Sequence, residues 1–496
     1  MPGQTQAPTV GQLPTPDTEA SRVPTVLTRL TWLLCVLSLG TLIVHVRSAV
    51  SWVLPGLVAV DGLTAVMWAT VTFFSGVVQS YSQRYMAGTR TIDRFFGRVF
   101  AFTLIVMVLV AADSFLLFGV AWLAMGLVMA DLIGHVDGWP QAQAAASLAR
   151  RSVFTSSGLI AIALAVLWWH TGVATVSDVA ATGSSPSPIV LAIAGLLVLA
   201  AMVQSALVPF HTWLLASMTA PTPASALMHA GFVNAGGILL VRFAPVVTAD
   251  SAVMLVVVLV GATSALLGKL LKSVQVDVKT RLGCSTTGQM GFMIMQAGLG
   301  FFGAAITHLV LHGCYKAYLF LASGEEVEHT NPAGTVHTRA GTGPVGLVVT
   351  GLTALAGGVL FAGLTGKGAG LDSGLLLTGL VVLTTMHATQ RALRSDALPA
   401  TFRYGAIPLI FLPAIAVYAV TYTVIVAVMT DGLAMVTVPV ELTVVHGIVA
   451  IAFLGSYVAI ETGAYRYSDR LYVALVNATR PPAGTALTST EEYNEY

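Results

Sequence analysis

Long apolar stretches separated by short polar connections are the main pattern along this chain. Between residues 26 and 464, runs of about 20 mostly apolar residues alternate with short segments rich in Gly, Pro, Ser or charge. A helix of about 20 residues crosses the roughly 30 Å hydrocarbon core of a bilayer. The pattern predicts about fourteen transmembrane helices: 26–47, 57–81, 95–112, 114–134, 152–171, 188–208, 225–244, 251–273, 284–299, 301–323, 343–364, 371–393, 406–430 and 441–464.

The two ends of the chain differ from this pattern. Residues 1–25 are rich in Pro and Thr with few large apolar side chains, which predicts a disordered N-terminal tail. They lack the charged region and cleavage pattern of a secretory signal. Residues 465–496 are predicted to form a polar C-terminal tail. The predicted domain organisation is therefore one transmembrane ion-conducting domain, 26–464, between two tails.

Composition fixes the broad class and excludes several functions. The chain of 496 residues is 56% hydrophobic and 9% charged, whereas soluble domains carry roughly 25% charged residues. This predicts an all-α, multi-pass membrane protein embedded in the lipid bilayer. A formal net charge of +1 offers no basic surface for nucleic acid. The chain has no phosphate-binding Gly-rich loop or dinucleotide fingerprint, which argues against ATP-driven transport by this chain alone.

Metal and cofactor sites are not expected either. Cys35, Cys284 and Cys314 match neither a zinc spacing nor a disulfide framework and are interpreted as small packing groups. We therefore expect a transport subunit with no cofactor and no metal, and not an enzyme.

One apolar stretch, "THLVLHGCYKAYLFLASG" at 307–324, contains three titratable residues in register. His308, His312 and Lys316 are four residues apart and fall along one helix face. A charge at mid-membrane costs at least about 2.5–3.5 kcal/mol, so each needs a reason. A metal site would need a third ligand, and Cys314 projects about 200° away from His312. Core packing is the alternative, but it does not select this register. Since imidazole carries protons near neutral pH, we predict a proton relay.

Further relay candidates lie near breaks in the apolar runs. Prolines at 209, 221 and 223 interrupt the region 208–243, and broken helices in transporters often form ion sites. A packing feature with an interfacial Trp is the alternative there. The charged connection 266–292 could equally be a surface loop, although Lys269 lies nearer a helix interior. The full predicted relay is His308, His312, Lys316, Lys269, His229, Lys367, His387 and His211.

The relay candidates also have a predicted order. The column on 307–324 is expected at the centre, with Lys269 and His229 toward one side. Lys367, in the Gly-rich break "FAGLTGKGAG", and His387 are expected toward the other side. His211 is a weaker candidate beside the first break.

Three stretches carry a family resemblance: "FHTWLLASMTAPTPASALMHAG", "DVKTRLGCSTTGQMGF" and "THLVLHGCYKAYLFLASG". They resemble the antiporter-like, proton-translocating subunits of respiratory complex I and of Mrp-type cation/proton antiporters, over roughly residues 57–394. The resemblance implies an antiporter-like fold of about fourteen helices with two inverted five-helix repeats, each holding a broken helix. By position, 208–243 would follow the first break and Lys367 would lie in the second.

Two positions depart from that family. Its pumps have a glutamate directly after the Trp of a "GWE" motif, where "VAWLAMG" has Leu123. The partner lysine precedes an "LPxxTWL" motif, where "MVQSALVPFHTWL" has Gln204. Both members of the pair are neutral, which argues against ordinary pumping through the first half-channel. Their joint loss avoids leaving one buried charge unpaired, which indicates adaptation.

A subset of the superfamily fits better. "HAGFVNAGGILLVRFAP", "STTGQMGFMIMQAGLG" and "ASLARRSVFTSSG" resemble the DabB membrane subunits of energy-coupled inorganic carbon pumps. This resemblance implies a subunit in a prokaryotic cell membrane that passes protons or sodium ions down their gradient. It also implies a large zinc-binding DabA-like partner, related to β-carbonic anhydrases, that hydrates CO2 to bicarbonate inside the cell.

Two alternatives remain open: a subunit of an Mrp-type antiporter, and a membrane-arm subunit of a complex I or hydrogenase-like redox enzyme. The sequence also leaves open H⁺ against Na⁺ and the orientation in the membrane.

Overall fold

The computed structural model describes residues 21–182, 186–324, 343–393, 400–430 and 436–482, so the predicted N-terminal tail lies outside it up to residue 20. Helices account for most of the described chain. They are α1 Val23–Ser48, α2 Gly62–Tyr85, α3 Ile92–Ala111, α4 Phe115–Ile133, α5 Pro140–Thr171, α6 Val176–Thr182, α7 Pro188–Gln204, α8 Thr212–Ala216, α9 Thr222–Ala230, α10 Ala235–Arg242, α11 Ala244–Val247, α12 Ser251–Ser273, α13 Val278–Gly298, α14 Phe302–Leu321, α15 Pro344–Thr365, α16 Ser373–Leu393, α17 Ala400–Thr430, α18 Val444–Thr462 and α19 Asp469–Thr479.

Ten helical segments of the described chain are long and apolar enough to cross a membrane. The prediction of a multi-pass, all-helical membrane protein is confirmed, while the number fourteen stays a prediction. The helix α14 is not among the ten, because its two histidines and its lysine lower its mean hydropathy.

Several predicted boundaries are wrong for local reasons. The second helix begins at Gly62 because the preceding residues form an antiparallel hairpin, β1 Trp52–Leu54 with β2 Val58–Val60. The helix α5 begins twelve residues earlier than expected, with Pro140 in its first turn, where a missing N–H costs nothing. The predicted span 225–244 is interrupted after Ala230 by the 3₁₀ turn Phe232–Asn234.

The helices α12 and α13 pack closely against each other in the second half of the bundle. Glycines on α12 and α13 face one another, and a Cβ added to Gly268 would lie 2.3 Å from the backbone N of Gly288. Small residues permit this contact in a membrane, where helices associate by packing. At the junction of α13 and α14, Gly300 has φ +83°, and a Cβ there would lie 1.7 Å from the carbonyl oxygen of Val438. The junction therefore requires glycine.

The predicted C-terminal tail begins with ordered structure. The turn Ala464–Arg466 and α19 fold back on the bundle, and Gln275 Nε2 donates to Thr479 Oγ1 at 2.7 Å. Leu475 is buried in an apolar cluster with Leu271 and Cys284. Part of the segment predicted as a polar tail is thus an amphipathic helix. Residues 483–496 lie outside the described part of the chain.

Basic residues are concentrated at one end of the bundle, which we call the cationic end. It is formed by the C-termini of α2, α4, α12, α14, α16 and α18 together with α19. Sixteen described Lys and Arg residues lie in or near it: Arg22, Arg29, Arg84, Arg90, Arg94, Arg98, Arg150, Arg151, Lys269, Lys272, Lys279, Arg281, Arg391, Arg466, Arg470 and Arg480. The opposite end has Arg47, Arg242 and Lys367, whereas the described Asp and Glu residues divide equally, six to each end.

Candidate functional site

The column predicted on α14 forms a continuous stack. The rings of His308 and His312 lie 5.6 Å apart, nearly parallel at 15°. One turn further along, the Lys316 side chain is fully buried, and its Nζ donates to the carbonyl oxygen of Leu282 on α13 at 2.9 Å. The three side chains therefore share one face of a helix that lies inside the bundle.

His229 joins this column from α9. Its Nδ1 lies 3.0 Å from Thr286 Oγ1, and its ring stacks on Phe320 at 4.3 Å. It lies within Coulombic range of both Lys316 and His312. Close packing of α9 on α14 places it there, since a Cβ added to Gly313 would lie 2.9 Å from the carbonyl oxygen of Ala230.

The imidazoles of this group have free polar atoms. Both ring nitrogens of His312, and Nε2 of His308 and His229, are buried without a hydrogen-bond partner among the described residues. Each neutral imidazole has one donor and one acceptor nitrogen. Buried polar atoms are normally paired because leaving them unpaired is costly. Three such rings in one place are chemically capable of passing a proton from one to the next.

A cavity of about 960 Å³, which we call the vestibule, connects the cationic end with this column. It is bounded by α12, α13, α16, α17 and α18. Its inner end is lined by His308, Gln296 and Tyr418, and its outer rim includes Arg281 and Arg391. The first ring of the column is thus reached from one end of the protein.

Lys269 and His387 lie together on the wall of the vestibule. His387 Nδ1 is 2.6 Å from Glu461 Oε1 on α18, and Lys269 is within Coulombic range of that carboxylate. The predicted order, with Lys269 and His229 toward one side of the column and Lys367 and His387 toward the other, is therefore wrong. Residues of α12, α16 and α18 line the same cavity, although α18 is distant from the other two helices in the sequence. The sequence around Lys269 or His387 therefore does not reveal that these two residues lie near Glu461.

Two predicted relay residues lie away from the column. Lys367 is at the opposite end of the bundle, 4.4 Å above the Phe301 ring. Burial lowers the pKa of Lys367, and the nearby Asp372 carboxylate opposes that shift. His211 is at the cationic end, where its Nε2 lies 2.9 Å from the carbonyl oxygen of Ala478 in α19. Neither residue joins the group around His312.

The two neutral substitutions lie in a closely packed first half. Gln204 is buried and its Nε2 donates to the carbonyl oxygen of Phe232 at 3.2 Å. Leu123 packs against the main apolar cluster, and the adjacent Trp122 donates to Ser156 Oγ at 3.2 Å. These residues are held by ordinary packing and hydrogen bonds.

Sequence reasoning missed two buried charges. Glu461 was overlooked, although a carboxylate inside a predicted apolar span was a usable signal. Arg242 was also overlooked: it pairs with Asp61 at 2.5 Å and donates to Thr64 Oγ1 at 2.6 Å. Asp61 caps α2, accepting from Thr64 N at 2.8 Å, and it is also half of this buried ion pair.

This architecture and these motifs match known proteins. Residues 112–393 match the family profile "NADH:quinone oxidoreductase/Mrp antiporter, TM", and residues 54–96 match the N-terminus of complex I chain 5. The chain belongs to the NADH:quinone oxidoreductase/Mrp antiporter family. The predicted multi-pass protein of a prokaryotic membrane is confirmed with it.

Curated relatives from this family include DabB proteins. The chain is 32% identical over 344 residues to the "Probable inorganic carbon transporter subunit DabB2" of Halothiobacillus neapolitanus, covering 68% of this chain and 61% of that one. It is 38% identical over 275 residues to the DabB of Bacillus subtilis, covering 54% and 53%. The predicted resemblance to DabB within the antiporter-like superfamily is confirmed. The chain spans about half to three fifths of the length of these relatives.

Other members of the family are also similar. The "NADH-quinone oxidoreductase subunit L" of Mycobacterium tuberculosis is 33% identical over 333 residues, covering 65% of this chain and 52% of that one. Among solved structures, the Mrp complex from Dietzia sp. DQ12-45-1b aligns with a TM-score of 0.54 at 23% identity. That alignment covers 92% of this chain and 50% of the other, and it confirms the antiporter-like fold.

Proposed function

We propose that this protein is the ion-conducting membrane subunit of an inorganic carbon pump. In this proposal, protons move down their gradient through the chain, and a zinc-binding DabA-like partner uses that energy to hydrate CO2 to bicarbonate. The observation that carries the proposal is that the vestibule reaches His308, the residue from which the column continues to His312 and Lys316. The kinship with DabB subunits supports the choice of partner and reaction.

The path we propose ends in the vestibule. A proton that has reached Lys316 and His229 passes to His312, and then to His308 one helical turn away. From His308 it leaves through the group Lys269, His387 and Glu461. A fully buried lysine has a strongly disfavoured charged form, so Lys316 would alternate between charged and neutral as its neighbours load. The open ring nitrogens are the atoms that accept and release the proton.

Protons fit this group better than sodium ions do. Hard cations take several oxygen ligands, whereas the column offers imidazole nitrogens and an amine. Two oxygens are hydrogen-bonded to this group: Thr286 Oγ1 contacts His229, and the carbonyl oxygen of Leu282 accepts from Lys316. We therefore favour H⁺.

The distribution of basic residues supports an orientation. Cytoplasmic loops of membrane proteins carry an excess of Lys and Arg, and acidic residues contribute little to this rule. We infer that the cationic end faces the cytoplasm. The vestibule then opens on the side where a bicarbonate-forming partner would act.

A second candidate is a membrane-arm subunit of a redox enzyme or a cation/proton antiporter. The similarity to subunit L of M. tuberculosis favours it. The neutral pair Leu123 and Gln204 counts against it, because the resemblance gives pumping members of the family a charged pair there.

Growth in air tests the proposal. The full chain is expressed with and without its large zinc-binding neighbour in a host lacking carbonic anhydrase. We expect rescue only with both chains, its loss with an uncoupler and its loss with Lys316→Met. Lys279→Met is the matched control, since Lys279 lies at the cationic end outside the column, and it should retain rescue. Failure to rescue with both proteins in the membrane would support the second candidate.

A further inference from the structure

We propose that the vestibule binds the phosphate headgroup of an anionic membrane lipid, with Lys272 and Arg391 as its principal contacts. These two contact residues are not among the residues proposed to carry protons, and the site does not depend on which ion the protein conducts.

The charges around the vestibule are unbalanced. Five basic residues line it: Lys269, Lys272, Arg281, Arg391 and Arg466. Among the described lining residues the one carboxylate is that of Glu461, whose Oε1 lies 2.6 Å from His387 Nδ1. The described cavity wall therefore has a large excess of positive charge.

The basic groups are close enough to repel one another. Lys272 lies within Coulombic range of Arg391 and of Arg281, and Lys269 within range of Arg391 and Lys272. Repulsion between like charges is strong where protein and lipid exclude water. An anion bound between these residues would attract each of them and so offset their mutual repulsion. Lys272 is half-buried and Arg391 exposed, so both can reach a group that enters from the membrane surface.

The inner wall distinguishes a lipid from a small free anion. Between the rim and His308 the vestibule is lined by apolar groups, including Phe292, Leu377, Leu380, Phe411, Ile415 and Phe453. A volume of about 960 Å³ far exceeds what one phosphate or bicarbonate ion fills. An acyl chain suits such a wall, and basic pockets between transmembrane helices on the cytoplasmic side bind phospholipid headgroups.

The vestibule also lies next to the membrane. Its outer wall includes α17 and α18, and only 17% of the apolar window of each is buried inside the protein. On this side, only the helices α17 and α18 thus separate the cavity from lipid. A headgroup at the rim would lie between the cytoplasm and Lys269, where it could control access to the column.

Lipid binding to the purified full chain tests the site. Native mass spectrometry and thermal unfolding are measured in detergent with added phosphatidylglycerol, phosphatidylcholine or inorganic phosphate. We expect phosphatidylglycerol alone to remain bound and to raise Tm. Because each basic residue near a headgroup contributes about fivefold in affinity, the double variant Lys272→Gln/Arg391→Gln should bind about thirtyfold more weakly.

Matched variants make the result decisive. Arg151→Gln removes a cation from the same end but outside the vestibule and should bind normally. The conservative pair Lys272→Arg/Arg391→Lys keeps both positive charges and should bind normally, which shows that these positions tolerate substitution and that the loss of charge weakens binding. Equal retention of phosphatidylglycerol by the glutamine pair and Arg151→Gln would overturn the proposal. So would equal stabilisation by inorganic phosphate, which would assign the rim to a free anion. Neither readout depends on transport, so failure here leaves the proton path standing.

Discussion

Buried polar groups are treated differently in the two halves of the bundle. In the first half, Asp61 and Arg242 form an ion pair whose oxygens and guanidinium are also bonded to Thr64 and to the carbonyl of Val110. In the second half, both nitrogens of His312 are without partners among the described residues. A pair whose carboxylate and terminal guanidinium nitrogens are hydrogen-bonded holds helices in place, whereas a ring with two unpaired nitrogens in a polar column remains available to a moving proton. Burial alone therefore does not identify a functional residue.

The largest effect should come from the column. Replacing Lys316 by Met removes its amine but keeps its length, and only one hydrogen bond, to Leu282, is lost. We expect transport-dependent growth to disappear while the amount of folded protein in the membrane changes little. Growth together with quantitative membrane blots measures both. Full activity in this variant would show that the column is structural, like the first-half pair.

The Asp61–Arg242 pair should show the reverse behaviour. Arg242→Leu leaves a buried carboxylate unpaired, which costs about 3–5 kcal/mol, and we expect low Tm and low yield. The double variant Asp61→Leu/Arg242→Leu should recover much of that loss, because no charge remains uncompensated. If Arg242→Leu folds normally but fails to transport, the pair is functional and the comparison between the halves fails.

The same pair predicts a dependence of stability on pH. Burial tends to raise the pKa of Asp61, but the Arg242 charge and hydrogen bonds from Arg242 and Thr64 outweigh it, so the pKa lies below its ordinary value of 3.8. The stabilisation is then fully present above pH 3.8 and is lost as the pH falls through the lowered pKa. Tm measured against pH should fall in that acid range, and the Asp61→Leu/Arg242→Leu protein should show a smaller fall. An identical fall in both proteins would contradict this assignment.

Changing the ion pair between His387 and Glu461 in the vestibule should have an intermediate effect on transport. Glu461→Gln keeps a hydrogen-bond acceptor for His387 but removes the negative charge beside Lys269. A positioned proton-transfer group contributes about a hundredfold or more to a rate. Because this group acts only where the path ends in the vestibule, we expect proton flux to fall severalfold. Unchanged flux would exclude Glu461 from the path, and abolished flux would move the rate-limiting step into the vestibule.

The smallest effect should be at the neutral first-half position. Gln204→Leu removes one hydrogen bond, to the carbonyl of Phe232, which is worth about 1 kcal/mol of stability. Transport should be unchanged. A large loss of flux with normal folding would show that the first half also conducts.

Hydropathy was sufficient to predict most of the helices, and α12 was predicted at its exact bounds of 251 and 273. Hydropathy did not predict the short elements that do not span the membrane, which are the hairpin before Gly62 and the amphipathic helix α19. The column on α14 was predictable because one helix fixes its register. The vestibule was not, because Lys269, His387 and Glu461 come from three helices whose contact depends on packing across the whole second half.

Proton flux through the column is the most direct test of the central claim. The full chain with its partner is reconstituted in liposomes holding a pH-sensitive dye, and a potassium gradient with valinomycin sets the membrane potential. The account predicts a potential-driven pH change that is lost with His312→Gln and with Lys316→Met but kept with Lys279→Met. Equal flux in all four proteins would contradict it and would leave the stacked imidazoles without a role in conduction.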